Sequence, residues 1–508
     1  MPSLRRFEGR ILLLGSGSVS RCLQMLLMRE GDFDCSRLTV LDRRALGAVR
    51  VPTLDAGAQF VEHRLTPENL AATLEQHLTH GDLLVNLTCS VRSQDLIGWC
   101  HDHGVLYVDT SVEAWDPHEC VMENVADDTL YRRHHDLRQM AEGWPENAPT
   151  AVVEHGANPG LVNHWVKRGL LELGEKLLDT ADPSAELNAD RRLRLEDALA
   201  AENFARLAME TGTKVIQISE RDTQISTRPK EVGEFVNTWS VDGFHEEGVA
   251  PAELGWGTHE RRLPELGRTH ATGIGNQIFL EQAGIDTYVR SWVPLGGPII
   301  GMVVRHGEAF TISDHLTVWS DGQPIYRPTV YYAYLPSDAA VASLHEMRMG
   351  GYRLPTRQRI MDDDISSGID ELGVLLLGHN LNGWWVGSQL AIGEARALAA
   401  NQNATTLQVA ASVLGAIGWI VEHPDRGLCV PDDLDHREVL EIAGPYLGPC
   451  PSVQTDWTPL NSPRGPFDAD VAPDEDAGAV WQFESFLLGA DARRGARDPA
   501  LVGASVAP

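Results

Sequence analysis

The sequence predicts an α/β protein in which a Rossmann-type, doubly wound parallel sheet precedes a second, α+β domain with a largely antiparallel sheet. Short apolar strands alternate with helical segments over about 150 residues at the start of the chain, as in parallel sheets with crossover helices. From Thr213 to Tyr334 long strands follow one another with few helices between them. At 508 residues the chain exceeds one ordinary core, so two or three domains are expected.

The first predicted element is a strand that runs into a glycine-rich turn. Arg10-Ile-Leu-Leu-Leu leads to Gly15-Ser-Gly17-Ser-Val-Ser20, and apolar residues then recur at helical spacing. In dinucleotide-binding folds the first glycine allows the tight turn, and the second lets the backbone approach the pyrophosphate at the helix N-terminus. Ser20 replaces the third glycine and is still small. The predicted cofactor contacts here are Gly15, Gly17, Ser18, Val19 and Ser20.

The second predicted strand, Leu38-Thr-Val-Leu41, ends in Asp42. An acid at this position accepts hydrogen bonds from the adenosine ribose hydroxyls and repels a 2′-phosphate, which favours NAD over NADP. Arg43 and Arg44 follow, and an arginine there would instead hold a 2′-phosphate. The alternative is that Asp42 merely ends the strand before a turn.

Further strands are predicted over 59–61, 83–87, 105–109 and 151–153. Ligands of such sheets bind at the carboxyl ends of strands. We therefore expect Thr88, Asp109 and Thr110 to contact the cofactor, and Glu113 to lie nearby. Asn158, in the loop before a predicted helix over 161–173, either faces a ligand or only shapes the turn.

The second domain has predicted strands over 213–219, 289–293, 300–305, 309–318 and 324–334. Glu220 follows the first of these, and His306 and Glu308 lie around a turn, which makes all three candidate site residues. Each also has a structural explanation: Glu220 could pair with Arg221, and His306 could be an ordinary turn histidine.

The predicted domain division has four parts. Residues 1–160 form the NAD-binding Rossmann domain, and 161–355 form the α+β substrate and dimerisation domain. Residues 356–460 form a mainly helical region, with a long helix over 405–422, that either returns to the first domain or builds a subunit contact. Residues 461–508 form a loop-rich acidic tail.

An aromatic residue flanked by acids stands out in the second domain. The stretch Asn237-Thr-Trp-Ser-Val-Asp-Gly-Phe-His-Glu-Glu247 places Trp239 near Asp242, Glu246 and Glu247. An aromatic face with neighbouring carboxylates suits an organic cation, because the ring quadrupole and the charges both attract an ammonium group. The alternative is a core tryptophan beside a solvated acidic turn.

Composition excludes several classes of protein. With 42 basic and 72 acidic residues the formal net charge is −30, which repels nucleic acid and anionic membranes. No apolar stretch of membrane-spanning length and no signal segment is apparent, so a cytoplasmic protein is expected. The seven cysteines form no Cys-x-x-Cys pair, which favours a reducing compartment and no metal site. Motifs of zinc proteases, serine hydrolases and P-loop proteins are absent from the sequence.

Several longer runs resemble the bacterial homospermidine synthase family, which is related to saccharopine-dehydrogenase-type enzymes. They are Glu220–Gln224, Asn237–Gly243, Pro251–His259, Leu344–Met347, Ile369–Leu376 and Thr455–Pro459. The resemblance implies a dimer that uses bound NAD to join two putrescine units with loss of ammonia, with spermidine as another candidate substrate. By similarity, Trp239 holds a cationic intermediate, and Glu220 and Asp242 bind or deprotonate amines. Glu247 then guides the diamine inward.

The resemblance also assigns Asn158, Glu113, His306 and Glu308 to the site. One position departs from the family pattern: Ser90 stands where the family carries an acid, and Arg92 adds a positive charge nearby. We expect this departure to affect which substrate the inner amine site accepts.

Two other functions fit parts of the sequence. A saccharopine- or carboxyspermidine-type dehydrogenase would reductively couple an aldehyde to an amine, and it would need a cationic clamp for the substrate carboxylate. A non-catalytic NAD-binding sensor would keep the glycine-rich turn but would have no use for the acids around Trp239.

Overall fold

The computed structural model describes residues 7–30, 33–45, 51–115, 129–179, 187–460 and 479–488. In chain order its strands are β1 (Ile11–Leu14), β2 (Leu38–Asp42), β3 (Gln59–Glu62), β4 (Leu83–Asn86), β5 (Leu106–Asp109), β6 (Ala151–Val152), β7 (Val215–Asp222), β8 (Ile225–Ser226), β9 (Glu234–Asn237), β10 (Pro251–Gly255), β11 (Gly267–Thr269), β12 (Gln277–Ala283), β13 (Tyr288–Val293), β14 (Gly297–Met302), β15 (Val318–Ser320), β16 (Gln323–Tyr326), β17 (Thr329–Leu335), β18 (Arg357–Ile360), β19 (Ile365–Ser367), β20 (Ile369–His379), β21 (Asn382–Ala391), β22 (Leu428–Cys429) and β23 (Ser452–Thr455).

The helices are α1 (Ser18–Arg29), α2 (Pro52–Asp55), α3 (Leu70–His77), α4 (Ser93–His103), α5 (Leu130–Ala141), α6 (Leu161–Asp179), α7 (Ala189–Ala200), α8 (Phe204–Thr211), α9 (Val241–Val249), α10 (Glu308–His315), α11 (Asp338–Met349), α12 (Ile392–Leu398), α13 (Ala404–Glu422), α14 (His436–Ala443) and α15 (Phe483–Phe486).

The first sheet is parallel, with the strand order β22-β6-β5-β4-β1-β2-β3. Its central strands are buried on both faces, so their sequences are continuously apolar rather than alternating. Leu14 at the end of β1 pairs with Leu41 of β2 and Asn86 of β4, so the carboxyl ends of these strands meet at one edge. This is the doubly wound sheet that the sequence predicts, and the order reverses beside β1, where such sheets bind ligands.

The second sheet has the order β11-β12-β10-β17-β7-β20-β21-β23, with β13 and β14 joined to it through β17. Its pairs are antiparallel apart from β7 with β17. Glu220 on β7 pairs with Tyr334 on β17 and with Leu372 on β20, so residues of three strands share one face around it. The predicted fold class is confirmed.

One hydrophobic core joins the two sheets. It includes Leu13 of the first sheet, Trp165 of α6, Leu376 of the second sheet and Leu414 of α13, all buried. Helix α13 packs against α1, and β22 then adds to the edge of the first sheet beside β6. The chain therefore leaves the first sheet after β6 and returns to it near the end.

Three local expectations were wrong. Most of the segment 309–318, predicted as a strand, lies in helix α10, which ends at His315. Residues Glu308–Ser313 of this helix are all buried, so the sequence shows no polar face with helical spacing. The predicted strand over 324–334 is divided into β16 and β17, which are separated by Arg327 and Pro328. The segment 356–460, expected to be mainly helical, also supplies the long strands β20 and β21, which pair with each other as a hairpin.

Helix α13 is long and apolar enough to span a membrane, with a mean hydropathy of 1.6 over its most apolar window, so the expectation of no such stretch was also wrong. In the structure 89% of that window is buried inside the protein, as expected of a core helix.

A short C-terminal piece, 479–488, covers the outer face of the second sheet. Trp481, Phe483 and Phe486 pack there with Tyr331 and Trp385. The predicted acidic tail otherwise falls outside the described residues, as do Cys120 and the N-terminal residues 1–6. The other six cysteines are free thiols.

Candidate active site

A cleft at the carboxyl ends of β1, β2 and β4 has the shape that a dinucleotide needs. Gly15 has φ +93°, and a Cβ there would lie 2.8 Å from the carbonyl oxygen of Leu87, so only glycine fits. A Cβ on Gly17, in contrast, would meet nothing within 4 Å. The backbone at Gly17 therefore faces open space, through which a pyrophosphate can approach it.

The N-terminus of α1 opens into this cleft. Gly17 is its N-cap and offers no side-chain hydrogen bond, so the first-turn N–H groups of Ser18, Val19 and Ser20 are left for a ligand. All three residues line the cleft. Ser20 is also buried against the helix, where its hydroxyl accepts a hydrogen bond from Gln24 Nε2 at 3.3 Å. These residues fit a bound dinucleotide phosphate.

Asp42 lines the same cleft, and its carboxylate already has protein partners. Oδ2 accepts hydrogen bonds from the backbone N and the hydroxyl of Ser16, at 2.7 and 2.8 Å, and Oδ1 accepts one from the Arg44 N–H at 2.8 Å. Asp42 thus fixes the glycine-rich turn, and its Oδ1 keeps a lone pair for a ribose hydroxyl. Arg43, Arg44 and Arg64 also line the cleft.

A second pocket of about 170 Å³ lies between the two sheets. Both cavities are lined by Val19, Leu87, Thr88, Cys89 and Ser240, so they open into each other. The second pocket is also lined by Thr110, Ser111, Glu113, Asn158, Glu220, Trp239, Glu247, His306, Tyr332, Thr405 and Gln408. We call it the amine pocket below. Among its described lining residues there is no lysine or arginine.

Glu220 lies on the floor of the amine pocket. It is 3% exposed, and Tyr332 Oη donates a hydrogen bond to its Oε2 at 2.5 Å. Burial raises its pKa to about 8, with a further increase from the nearby Asp222 charge, against the opposing effect of the Tyr332 hydrogen bond. Glu220 can therefore take up or release a proton near neutral pH.

His306 lies between two carboxylates. Its Nε2 is 3.0 Å from Glu247 Oε2, and its Nδ1 is 3.5 Å from Glu308 Oε1. Burial opposes a charge on the imidazole, but the two carboxylates outweigh it and raise the pKa of His306 well above its usual value. The side-chain amide nitrogen of Asn158, Nδ2, lies 3.3 Å from His306 Nδ1.

Glu113 forms the side of the pocket next to the first sheet. Its N–H donates to Ser93 Oγ at 3.0 Å, and the Ser111 hydroxyl donates to its carboxylate. Burial, and then the Glu246 charge, raise the pKa of Glu113 to about 8. Like Glu220, it can exchange protons near neutral pH.

Trp239 contributes its ring to the pocket wall. Its Nε1 donates to Tyr334 Oη at 3.0 Å, and the ring packs on Phe244. Of the three acids expected near it, Glu247 lines the pocket. Asp242 lines the dinucleotide cleft instead, where its Oδ1 accepts from Gln358 Nε2 at 2.9 Å. Glu246 forms ion pairs with Arg133 and Arg305 and is outside the described lining of the pocket.

Two other predicted residues lie outside both cavity walls. Asp109 is buried beneath them, where it accepts hydrogen bonds from Tyr107 Oη and the Glu154 N–H, both at 2.7 Å. Burial raises the pKa of Asp109 to about 7. Glu308 is fully buried behind His306. Ser90 lines the dinucleotide cleft, and Arg92 lies near Asp95 at 3.7 Å.

Sequence reasoning missed several pocket residues, namely Cys89, Ser111, Tyr332, Thr405 and Gln408. Tyr332 lies in the apolar strand β17, and Thr405 and Gln408 lie on the apolar helix α13. The sequence signal that could have identified these three residues is the presence of polar side chains within otherwise apolar elements. Which of the lining residues act in catalysis remains a prediction.

The fold and the paired cavities define an enzyme of the saccharopine dehydrogenase type. Residues 11–152 match the family model described as the saccharopine dehydrogenase NADP binding domain, and residues 156–451 match the one described as the saccharopine dehydrogenase C-terminal domain.

Two relatives and one solved structure identify the family within this class. The chain is 42% identical to homospermidine synthase from Blastochloris viridis, covering 96% of this chain and 99% of that protein. It is 40% identical to homospermidine synthase from Mesorhizobium japonicum, covering 96% and 98%. It also resembles the crystal structure of homospermidine synthase from Legionella pneumophila in complex with NAD, with a TM-score of 0.83 and 34% identity over 95% of this chain and 98% of that one. The chain belongs to the homospermidine synthase family, which confirms the resemblance seen in the sequence.

Proposed function

We propose that this enzyme joins two putrescine units into homospermidine and releases ammonia, with NAD as a cofactor that is restored in each turnover. The observation that carries the proposal is the opening between the dinucleotide cleft and the amine pocket, lined by Val19, Thr88, Cys89 and Ser240. Through it a bound cofactor can reach a substrate held among carboxylates.

The reaction needs a hydride acceptor because a saturated carbon bearing an amine is a poor electrophile. Bound NAD supplies reversible hydride transfer at that carbon. The cleft residues Gly15, Gly17, Ser18, Val19 and Ser20 would hold the pyrophosphate, and Asp42 would hold the adenosine ribose. Thr88 lines both cavities and Thr110 lines the amine pocket, and both would contact the reactive end.

The amine pocket supplies proton exchange and charge. Putrescine is a dication near neutral pH, and its reacting amine must lose a proton before the carbon can be oxidised. Glu220, whose pKa is near 8, is suited to take this proton and to return one when ammonia leaves. Glu113 is suited to the same exchange at the opposite wall.

Other residues would place the diamine. Trp239 offers its ring face to a cationic nitrogen, and Glu247 offers a carboxylate. His306 and Glu308 would fix Glu247 and Asn158 from behind. Asp242, at the rim of the dinucleotide cleft, would act on the cofactor side of the opening rather than beside the amine.

Two alternatives fit less well. A dehydrogenase that couples an aldehyde to an amino acid needs a cation for the substrate carboxylate, whereas the described lining of the amine pocket has no lysine or arginine. A non-catalytic NAD sensor has no need for buried acids with raised pKa values next to the cofactor.

The test determines whether the hydride taken from putrescine returns to the product. The enzyme is incubated with NAD and with putrescine deuterated on its amine-bearing carbons, and the products are identified by mass spectrometry. We expect homospermidine that keeps the transferred deuterium, one ammonia per product, and no net reduction of NAD. Reduction of NAD in proportion to the amine consumed would contradict the proposal.

We also propose a cytoplasmic homodimer. Family membership supports the dimer, and the acidic composition and free thiols are compatible with the cytoplasm. Analytical ultracentrifugation of the NAD-loaded enzyme measures the assembly, and a monomer at micromolar concentration would contradict it.

A further inference from the structure

Beneath the amine pocket, three buried carboxyl groups lie on adjacent strands. Glu220 and Asp222 are on β7, and Asp370 is on β20 directly opposite Asp222. All three are at most 3% exposed. Among the ion pairs of the described residues, none joins these acids to a lysine or arginine. Three negative charges cannot be held together in such surroundings, so the cluster must retain a proton.

The hydrogen bonds show which acid keeps its charge. Asp222 Oδ1 accepts from the N–H and the side-chain amide of Gln224, at 2.8 and 3.1 Å, and Oδ2 accepts from the Thr238 hydroxyl at 2.7 Å. These donors favour the ionised form, and burial raises the pKa of Asp222 only to about 6. Asp222 is therefore the anionic member.

Asp370 accepts fewer hydrogen bonds than Asp222 does. Its Oδ2 accepts a hydrogen bond from Thr405 Oγ1, whereas its buried Oδ1 has no hydrogen-bond donor among the described residues. Asp370 is the diagonal neighbour of Glu220 on the same face of the sheet, because Asp370 pairs with Asp222 and Leu372 pairs with Glu220. Two neighbouring carboxyl groups can share a hydrogen bond only if one of them carries a proton.

We propose that Asp370 is a positioning residue that shares one proton with Glu220 at neutral pH and so keeps Glu220 able to act as the acid when ammonia leaves. The inference deepens the proposed function and rests on it for the identity of the leaving group. In this step the shared proton moves to the departing nitrogen of the tetrahedral diamine adduct. The C–N bond then breaks with its electrons going to that nitrogen, which gives ammonia and the iminium that is later reduced.

The surroundings favour keeping this proton on the pair. Burial and the charges of Glu220 and Asp222 raise the pKa of Asp370 well above its usual value, and burial raises that of Glu220 to about 8. The charged or titratable groups that face the pair from neighbouring elements are Asp222, His306, Tyr332, Tyr334 and, beyond Asp222, Asp338. Of these His306 is the cation, and it also lies beside Glu247 and Glu308.

Asp370 is outside the described lining of the amine pocket, so it acts on substrate through Glu220. Asp370→Asn removes the second carboxyl and leaves an amide that can donate to Glu220, which lowers the pKa of Glu220. Thr405→Val is the matched opposite change. It removes the donor that stabilises ionised Asp370, so the pair should hold its proton to higher pH.

The test is a pH titration of the protonated-carboxyl C=O stretch by infrared difference spectroscopy on the NAD-loaded enzyme, in parallel with the basic limb of kcat/KM. For Asp370→Asn we expect the Glu220 band and the basic limb to move down by about one pH unit or more, and for Thr405→Val we expect both to move up. Glu220→Gln identifies the band by removing it.

Unchanged titrations in Asp370→Asn and Thr405→Val, or shifts in the same direction in both variants, would contradict the proposal that Asp370 and Glu220 share a proton. If Asp370→Asn does not fold, Thr405→Val alone still tests the direction. A wild-type enzyme that forms no homospermidine would reject the proposed function, whereas the infrared titration would still report on the pair.

Discussion

The dinucleotide cleft and the amine pocket adjoin each other but are built in opposite ways. The cleft is formed by backbone: a glycine with positive φ, a helix N-terminus and a carboxylate that binds the turn itself. The amine pocket is formed by buried side chains from both sheets, several of them acids whose pKa is raised. A cofactor of fixed shape can be held by fixed N–H groups, whereas a substrate that changes charge needs groups that change charge with it.

The largest expected effect tests the proton exchange in the amine pocket. Glu220→Gln keeps the side-chain shape but removes the titration, and we expect kcat/KM for putrescine to fall by about 10²-fold or more. Because Glu220 lines the amine pocket and not the dinucleotide cleft, the Kd of NAD measured by calorimetry should stay within about twofold. Turnover near the wild-type rate would remove Glu220 from the chemistry.

The next effect concerns the aromatic wall. Trp239→Ala removes the ring face, and we expect it to lower kcat/KM by about 10- to 30-fold, since a desolvated cation–π contact contributes up to about 2 kcal/mol. Trp239→Phe keeps a weaker face and should lose less. Both variants lose the hydrogen bond to Tyr334, so the phenylalanine variant is the control for that loss. Equal activity of wild type and the alanine variant would exclude a cation-binding role.

A smaller effect is expected in the cleft. Asp42→Ala should weaken NAD binding by about 5- to 10-fold, the equivalent of about one lost hydrogen bond, and should reduce discrimination against NADP. Asp42→Asn keeps an acceptor for the Ser16 N–H but removes the charge, so it should reduce the discrimination with less loss of NAD affinity. Calorimetric titration of both cofactors measures this, and an unchanged preference in both variants would place the ribose contact elsewhere.

The last expected effect is on stability rather than on activity or binding. Because the carboxylates of Glu247 and Glu308 raise the pKa of His306, the charged ring stabilises the folded protein fully below the unfolded pKa of about 6.5. That contribution is lost as the pH rises through the higher folded pKa. Relative to His306→Gln, wild-type stability should therefore fall by about 1.4 kcal/mol per pH unit in this window. Urea unfolding of both proteins at several pH values measures this difference. Parallel pH profiles of stability for wild type and His306→Gln would contradict a charged His306 that is stabilised by Glu247 and Glu308.

The cleft was predictable from sequence because its residues lie close together. Gly15 to Ser20 and Asp42 follow a local rule about turns and strand ends, and the structure places them at one edge of the first sheet. The amine pocket follows no local rule. Thr405 and Gln408 reach it from a helix far along the chain, and Glu246 and Glu247, adjacent in sequence, have different surroundings because only Glu246 meets Arg133 and Arg305. Burial and long-range pairing decide such outcomes, and neither is encoded in a short window.

The late return of the chain to the first sheet has a consequence for synthesis on the ribosome. The edge strand β22 and the helix α13, which packs against α1, both come after residue 400. The apolar surface of α1 that α13 covers therefore stays exposed until most of the polypeptide has been synthesised. During that time chaperones can bind it. For the same reason a fragment ending near residue 160 should aggregate rather than fold, even though it contains the whole dinucleotide fingerprint.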